Sequence, residues 1–270
     1  MSDGLIATVE GGVMTLTLNR PDTHNALDYL TREALVERLA WASADVAVRA
    51  VVITGAGEKA FCTGADLRVK VPGPDKPEGA PERATGDTAR VIRTGWQALV
   101  TAVLDCEKPV IAAVNGTAAG AGVHLALACD LVIVADTAKL VPVFVRRGIA
   151  PDAAGAYLLA RLVGPQKAKE LFFFGDDVPA AEALRIGLVN KVVPAAELQG
   201  AASVWAKRLA SGPTTSISMT KMLVNRALDV DRQTALVEEA WAQEIVMTSE
   251  DAQEGVRAFI ERRDPHFQGW

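Results

Sequence analysis

Two runs of small residues are the first chemical signal in this chain. They are Phe61–Cys62–Thr63–Gly64–Ala65–Asp66–Leu67 and Asn115–Gly116–Thr117–Ala118–Ala119–Gly120–Ala121–Gly122. Each follows a short apolar run, Ala50 to Gly55 and Val110 to Val114, of the β-branched kind that forms strands buried on both faces. Glycines there let the backbone approach another group closely. Ala121 to Ala128 then reads as the first turns of a buried helix, whose free N–H groups carry about half a positive charge. Two such turns after two parallel strands, the first able to present the amide of Ala65, can aim two N–H groups at one oxygen. A donor of that kind is worth roughly 2.7–4 kcal/mol when the oxygen becomes an anion.

Two ionisable residues downstream could move a proton, one just after the second turn and one farther along the chain. His124 follows Ala121 by one helical turn, and its ordinary pKa near 6.5 suits proton transfer. Asp152 lies in Gly148–Ile149–Ala150–Pro151–Asp152–Ala153–Ala154–Gly155. Its plainest role is the N-cap of a helix running from Ala153 to Leu162. In an apolar pocket it would instead be a carboxylate with a raised pKa, suited to carrying a proton between carbons.

Several other chemistries are excluded. Gly120-x-Gly122 follows a strand, but Leu125 stands where a dinucleotide fingerprint has its third glycine. The histidines at 24, 124 and 266 are too scattered for a metal site. No serine occurs between Ser43 and Ser203, so neither turn carries a nucleophilic serine.

The two small-residue motifs together resemble the crotonase (enoyl-CoA hydratase/isomerase) superfamily. Supporting matches are Asn19–Arg20–Pro21 through Asn25–Ala26–Leu27, Pro151–Asp152, and Glu254–Gly255 through Phe267, so the resemblance covers nearly the whole chain. It implies an α/β fold, a crotonase-like spiral of ββα units with a C-terminal helical trimerisation region. It implies a core over residues 1–195 with the acyl-CoA site, and a helical oligomerisation region over 196–270. It further implies an acyl-CoA thioester as substrate, with coenzyme A part of that substrate and no separate cofactor, in a cytoplasmic homotrimer or a hexamer made as a dimer of trimers. Ala65 and Ala121 would hold the thioester carbonyl. Gly64, Gly120, His24, Ala26, Asp66, Leu67, Trp96 and Phe144 would border the substrate, and Phe259 and Arg262 would reach coenzyme A. Hydratases of the family use two glutamates, whose positions here are His124 and Phe144. Isomerases and aryl dehalogenases of the family carry an aspartate matching Asp152. The dehalogenases also resemble the chain at Trp96, but Gln97 replaces their histidine and Phe144 their tryptophan. The expected reaction is therefore a 3-enoyl to 2-enoyl-CoA shift with Asp152 as base. Hydration through His124, or acyl-CoA binding without catalysis, are the alternatives.

Composition agrees with such a framework. The 270 residues are 50% hydrophobic and 5% aromatic with net charge −5, which suits a well-packed core and argues against a nucleic-acid surface. No run approaches the ~18 apolar residues of a membrane span, and Met1–Ser2–Asp3–Gly4 lacks the opening of a signal peptide. Cys62, Cys106 and Cys129 show no paired spacing and read as reduced core thiols. Leu5 to Val9 and Val13 to Leu18 form a predicted hairpin around Gly11–Gly12. Leu27 to Ala44 is a predicted helix with an apolar stripe of Leu27, Leu30, Ala34, Leu35, Leu39 and Ala42, capped by Asn25. Strands and helices then alternate through Val134, implying parallel strands. The Pro/Gly-rich segment Val71 to Pro81 reads as a loop without order of its own, bordering the substrate site. Beyond Pro165 the chain is expected to be nearly all helical, with one strand over Leu188 to Val193, and its apolar stripes need a partner surface.

Overall fold

The computed structural model describes residues 4–69, 71–73 and 75–270. Strands β1 (Leu5–Glu10) and β2 (Val13–Leu18) form the predicted antiparallel hairpin, and β2 alternates buried and half-buried residues as its sequence does. Helix α1 (Tyr29–Ala44) follows, then β3 (Ala50–Gly55) and the short β4 (Ala60–Cys62). After the long loop come α2 (Asp87–Ile92), a π-helical turn over Arg93–Gln97, and α3 (Ala98–Leu104). The same plan repeats as β5 (Val110–Val114), β6 (Thr117–Ala119) and α4 (Ala121–Ala128), and again as β7 (Leu131–Ala135), β8 (Lys139–Val141) and α5 (Gly155–Phe174). Then come β9 (Val178–Pro179), α6 (Ala180–Arg185), β10 (Lys191–Val193) and four helices, α7 (Leu198–Ala210), α8 (Thr214–Arg226), α9 (Arg232–Met247) and α10 (Glu250–Glu261).

The strands form two sheets. The larger runs β1-β2-β3-β5-β7-β10, parallel from β2 onward, and the smaller runs β4-β6-β8-β9, parallel except at β9. Every residue of β3 and β5 is buried, because helices cover both faces of a parallel sheet. Since β3, β5 and β7 are neighbours in one sheet and β4, β6 and β8 in the other, the segments leaving the three short strands emerge side by side. That order places Ala65, Ala121 and Phe144 next to one another.

The corner between the sheets is tied by two asparagines. Asn115 accepts from the Gly55 amide at 3.0 Å and donates to the Gly57 carbonyl at 2.8 Å. Asn25, 1% exposed, donates to the carbonyls of Ala56 (3.0 Å) and Ala60 (2.7 Å) and accepts from the Arg20 amide (3.0 Å). It is therefore a strut and not the cap of α1; Asp28 caps that helix, accepting from the Thr31 amide at 2.8 Å. Asn25 also has φ +55°, where alanine costs about 1–2 kcal/mol. Asn25→Ala is expected to cost about 3 kcal/mol in urea unfolding once the lost bonds are added; a loss below about 1 kcal/mol would show that the corner holds without it.

Other local expectations also shift. Leu30 is 50% exposed, and the buried stripe of α1 is Thr31, Arg32, Leu35, Leu39 and Ala42. The late strand shortens to Lys191–Val193. In the long loop, Lys76 donates to the carbonyls of Pro81 (2.9 Å) and Glu82 (2.6 Å) and pairs with Asp87 (2.7 Å), so a single lysine clasps the segment that composition alone leaves open. Lys70 and Pro74 of this stretch lie outside the described residues.

Helix α7 lays Leu198, Ala202 and Ala206 on the large sheet. Farther along, Lys221 of α8 reaches Asp130 at 2.9 Å and the Val103 carbonyl at 2.9 Å, anchoring the terminal helices to the core. The remaining faces of α9 and α10 stay open, with Leu236, Trp241, Val256, Phe259 and Ile260 all more than half exposed. No helix among the described residues is long and apolar enough to cross a membrane.

Candidate active site

The Ala65 turn and the start of α4 meet backbone to backbone. A Cβ on Gly64 would lie 3.1 Å from the Ala119 carbonyl and 3.3 Å from the Ala121 nitrogen. The approach depends on Gly122, where a Cβ would fall 2.0 Å from the Cys62 carbonyl oxygen. Ala65 pairs with Leu27 in a parallel bridge: the Leu27 amide donates to the Gly64 carbonyl (2.8 Å) and the Asp66 amide to the Leu27 carbonyl (3.0 Å). In that ladder the Ala65 N–H points away from Leu27. Among the described residues neither the Ala65 amide nor the Ala121 amide has an acceptor. Two free donors on adjoining turns suit one oxygen that gains negative charge.

A charge cluster centred on the buried Asp66 stiffens the first turn. Asp66, 6% exposed, takes Arg68 at 2.8 Å and Arg20 at 3.0 Å, and these two guanidiniums, Arg68 first, hold its carboxyl down at about 2. Arg20 also donates to the Ala26 carbonyl and lies 3.4 Å from Asp28. Thr63 donates to the His24 carbonyl at 3.2 Å. Asp66 is thus a fastener for the turn, while His24 lies at its edge and Leu67 faces solvent at 78% exposure.

The second half of the site is built around His124. Its ring is wholly buried, stacked on Phe144 (centroids 5.1 Å apart, planes 3° apart) and edge-on to Phe172 at 5.8 Å. On its other side is Gly155, where a Cβ would sit 2.0 Å from the ring. Neither ring nitrogen has a partner among the described residues. Burial pushes the imidazole down to about 4, with the Asp152 main-chain carbonyl offsetting this slightly without reaching bonding geometry. His124 is therefore neutral at ordinary pH and sealed behind Phe144. Phe144 itself comes within 4.0 Å of where a Gly120 side chain would start.

A depressed histidine has a defined consequence for stability. Between about pH 6.5 and 4 the unfolded chain binds a proton that the folded chain refuses, so stability falls as pH falls, by up to roughly 3 kcal/mol. His124→Phe is expected to flatten this part of the urea-unfolding profile; an unchanged slope would mean that the ring is protonated in place.

Asp152 does not cap a helix. The helix begins at Gly155, and Ala153 and Ala154 precede it at φ +47° and +57°, two successive left-handed alanines. Strain of about 1–2 kcal/mol each survives where the surroundings enforce it, and such positions cluster at working sites. The kinked segment leaves Asp152 Oδ1 buried with no partner among the described residues. Desolvation raises this carboxyl above the usual range, opposed by its own backbone and by the charge of Arg32.

Arg32 is the residue that sequence reasoning missed. It is 7% exposed, its guanidinium lies 5.9 Å over the Trp96 ring, and a Cβ on Gly95 would touch it at 2.6 Å. The one available signal was register: position 32 falls on the buried stripe of α1 with Leu35, Leu39 and Ala42. Trp96, 6% exposed, belongs to the same group. Phe259 and Arg262 do not. Both are exposed, Phe259 on the last helix and Arg262 at its C-cap, and that helix packs on α9, so within one chain they are not brought to the residues above.

A family model described as enoyl-CoA hydratase/isomerase matches residues 8–270. A probable enoyl-CoA hydratase of Rhodobacter capsulatus is 38% identical over 97% of the chain and 96% of its own length. The 1,2-epoxyphenylacetyl-CoA isomerase of Escherichia coli is 37% identical over the full length of both. A crystal structure of an enoyl-CoA hydratase from Bacillus anthracis superposes with a TM-score of 0.88 at 34% identity, covering 99% of this chain and 100% of that one.

Proposed function

This chain belongs to the enoyl-CoA hydratase/isomerase family, and we propose that within it the chain shifts a double bond of an acyl-CoA thioester from the 3- to the 2-position. The observation that carries this reading is the buried, partnerless Oδ1 of Asp152, held in a raised range close to His124 and the start of α5. With the thioester oxygen accepting from the Ala65 and Ala121 amides, the ionised Asp152 removes a proton from C2. The C2–H electron pair becomes the C1–C2 π bond of a dienolate as the C1–O π electrons move onto the held oxygen. The protonated Asp152 then returns the proton to C4, the C3–C4 π bond is lost, and the 2-enoyl thioester forms. No atom enters or leaves, so one acid suffices.

Hydration asks for more. It needs one group to activate water and one to protonate carbon, and the positions at 124 and 144 hold a sealed neutral imidazole and a phenyl ring. Several relatives are named as hydratases, which favours hydration; burial of the His124 ring on all sides weighs against hydration through that residue. The exposed apolar rows of α9 and α10 support a homotrimer or hexamer, with residues 196–270 as the assembling region.

The test is to give the enzyme 3-hexenoyl-CoA and 2-hexenoyl-CoA separately and follow products by chromatography. Conversion of the 3-enoyl to the 2-enoyl ester is expected to exceed water addition at least tenfold. Faster hydration than isomerisation would overturn the reading.

A further inference from the structure

Arg32 is buried and Asp152 half-buried with its Oδ1 enclosed, and each acts electrostatically on the other, yet no ion pair joins them. The guanidinium has no hydrogen-bond acceptor among the described residues. A desolvated arginine with five unused donors is costly and normally finds a carboxylate or carbonyl. Here the fold keeps it apart from one. The π-helical turn brings Gly95 against the guanidinium, Trp96 sits beneath it, and a side chain at 95 would evict it. Such π turns recur where function distorts a helix. The Arg32 guanidinium therefore offers donors that the protein itself leaves unused, within electrostatic reach of Asp152.

Resting on the proposed acyl-CoA reading, we infer that Arg32 is a specificity residue for an acyl chain bearing an acceptor oxygen beyond the reacting carbons, either a carboxylate or a neutral carbonyl. A purely hydrocarbon chain leaves the guanidinium unsatisfied, and a site built around a buried donor rejects ligands that cannot pair with it. A guanidinium bonds either oxygen type, and charge assistance makes the carboxylate the stronger of the two.

Binding of saturated thioesters tests this without turnover, so it stands apart from the isomerase question. Dissociation constants are measured by calorimetry for matched sets of four to eight carbons, for example hexanoyl-CoA, 5-oxohexanoyl-CoA and adipyl-CoA. In the wild-type protein at least one oxygenated member is expected to bind tenfold more tightly than the plain chain. Arg32→Met is expected to erase that difference and Arg32→Lys to keep part of it. Gain with adipyl-CoA alone assigns an anion; gain with both assigns any acceptor oxygen. Equal binding across every set, or a preference that survives Arg32→Met, overturns the inference. If no member binds to wild type, the acyl-CoA reading falls and takes this one with it.

Discussion

Asp152→Asn is expected to lower isomerisation of 3-enoyl-CoA by about 10³-fold, within the range that a positioned general base contributes. Asparagine keeps the shape but accepts no proton. Saturated acyl-CoA is expected to bind the variant as it binds wild type, because the amides of Ala65 and Ala121 are untouched. Stability moves the other way. Oδ1 is buried without a partner and burial raises the carboxyl, so the folded state prefers it protonated. As pH rises through the raised value the ionised form costs stability, and asparagine removes that cost. Unfolding midpoints at pH 7 are therefore expected to rise while turnover collapses, a trade between stability and activity common at working sites. The wild-type kcat/KM is expected to climb with pH through a value above the ordinary aspartate range, since the carboxylate is the active form. A variant retaining more than about a tenth of the activity would remove Asp152 from the reaction.

Gly122→Ala is expected to be the most damaging single methyl in the chain. The added carbon would stand 2.0 Å from the Cys62 carbonyl oxygen, a backbone atom at the end of β4 that cannot swing aside like a flexible side chain. Overpacking in a dense core costs typically 1–3 kcal/mol, and a rigid backbone obstacle belongs at or beyond the top of that range. Because β4 and α4 carry the two turns, the strain also pries Gly64 from Ala121. Protein that still folds is expected to show weakened acyl-CoA binding together with a lowered thermal midpoint. A midpoint within about 1 °C of wild type, with intact binding, would mean that the two turns have slack which the packing does not show.

Legibility differed by element for physical reasons. Val110–Val114 and the β1–β2 hairpin could be read directly, because buried parallel strands need continuous apolar runs and half-buried ones alternate. The small-residue motifs around Ala65 and Ala121 were equally plain, since only glycine and alanine allow two backbones to touch. The second sheet was hidden. Its strands β4, β6, β8 and β9 are two or three residues long, too short for any periodicity to register. Helix starts also differ from the expectation at Asn25, whose side chain ties the corner between the sheets, and at Asp152, which two left-handed residues separate from the helix.

Taken by itself, the order of residues determined that two parallel strands end in glycine-rich turns, that one carboxyl stands near the start of α5, and that positions 124 and 144 lack a carboxyl. Those properties are local: side-chain size, branching and ionisable type act within a few residues of themselves. Only the tertiary structure decided that His124 is sealed and neutral, that Asp152 is desolvated on a strained segment, and that Arg32 of the first helix is buried within electrostatic reach of it. Burial, pKa and the absence of a partner depend on groups that meet from distant parts of the chain, and no window of sequence contains them.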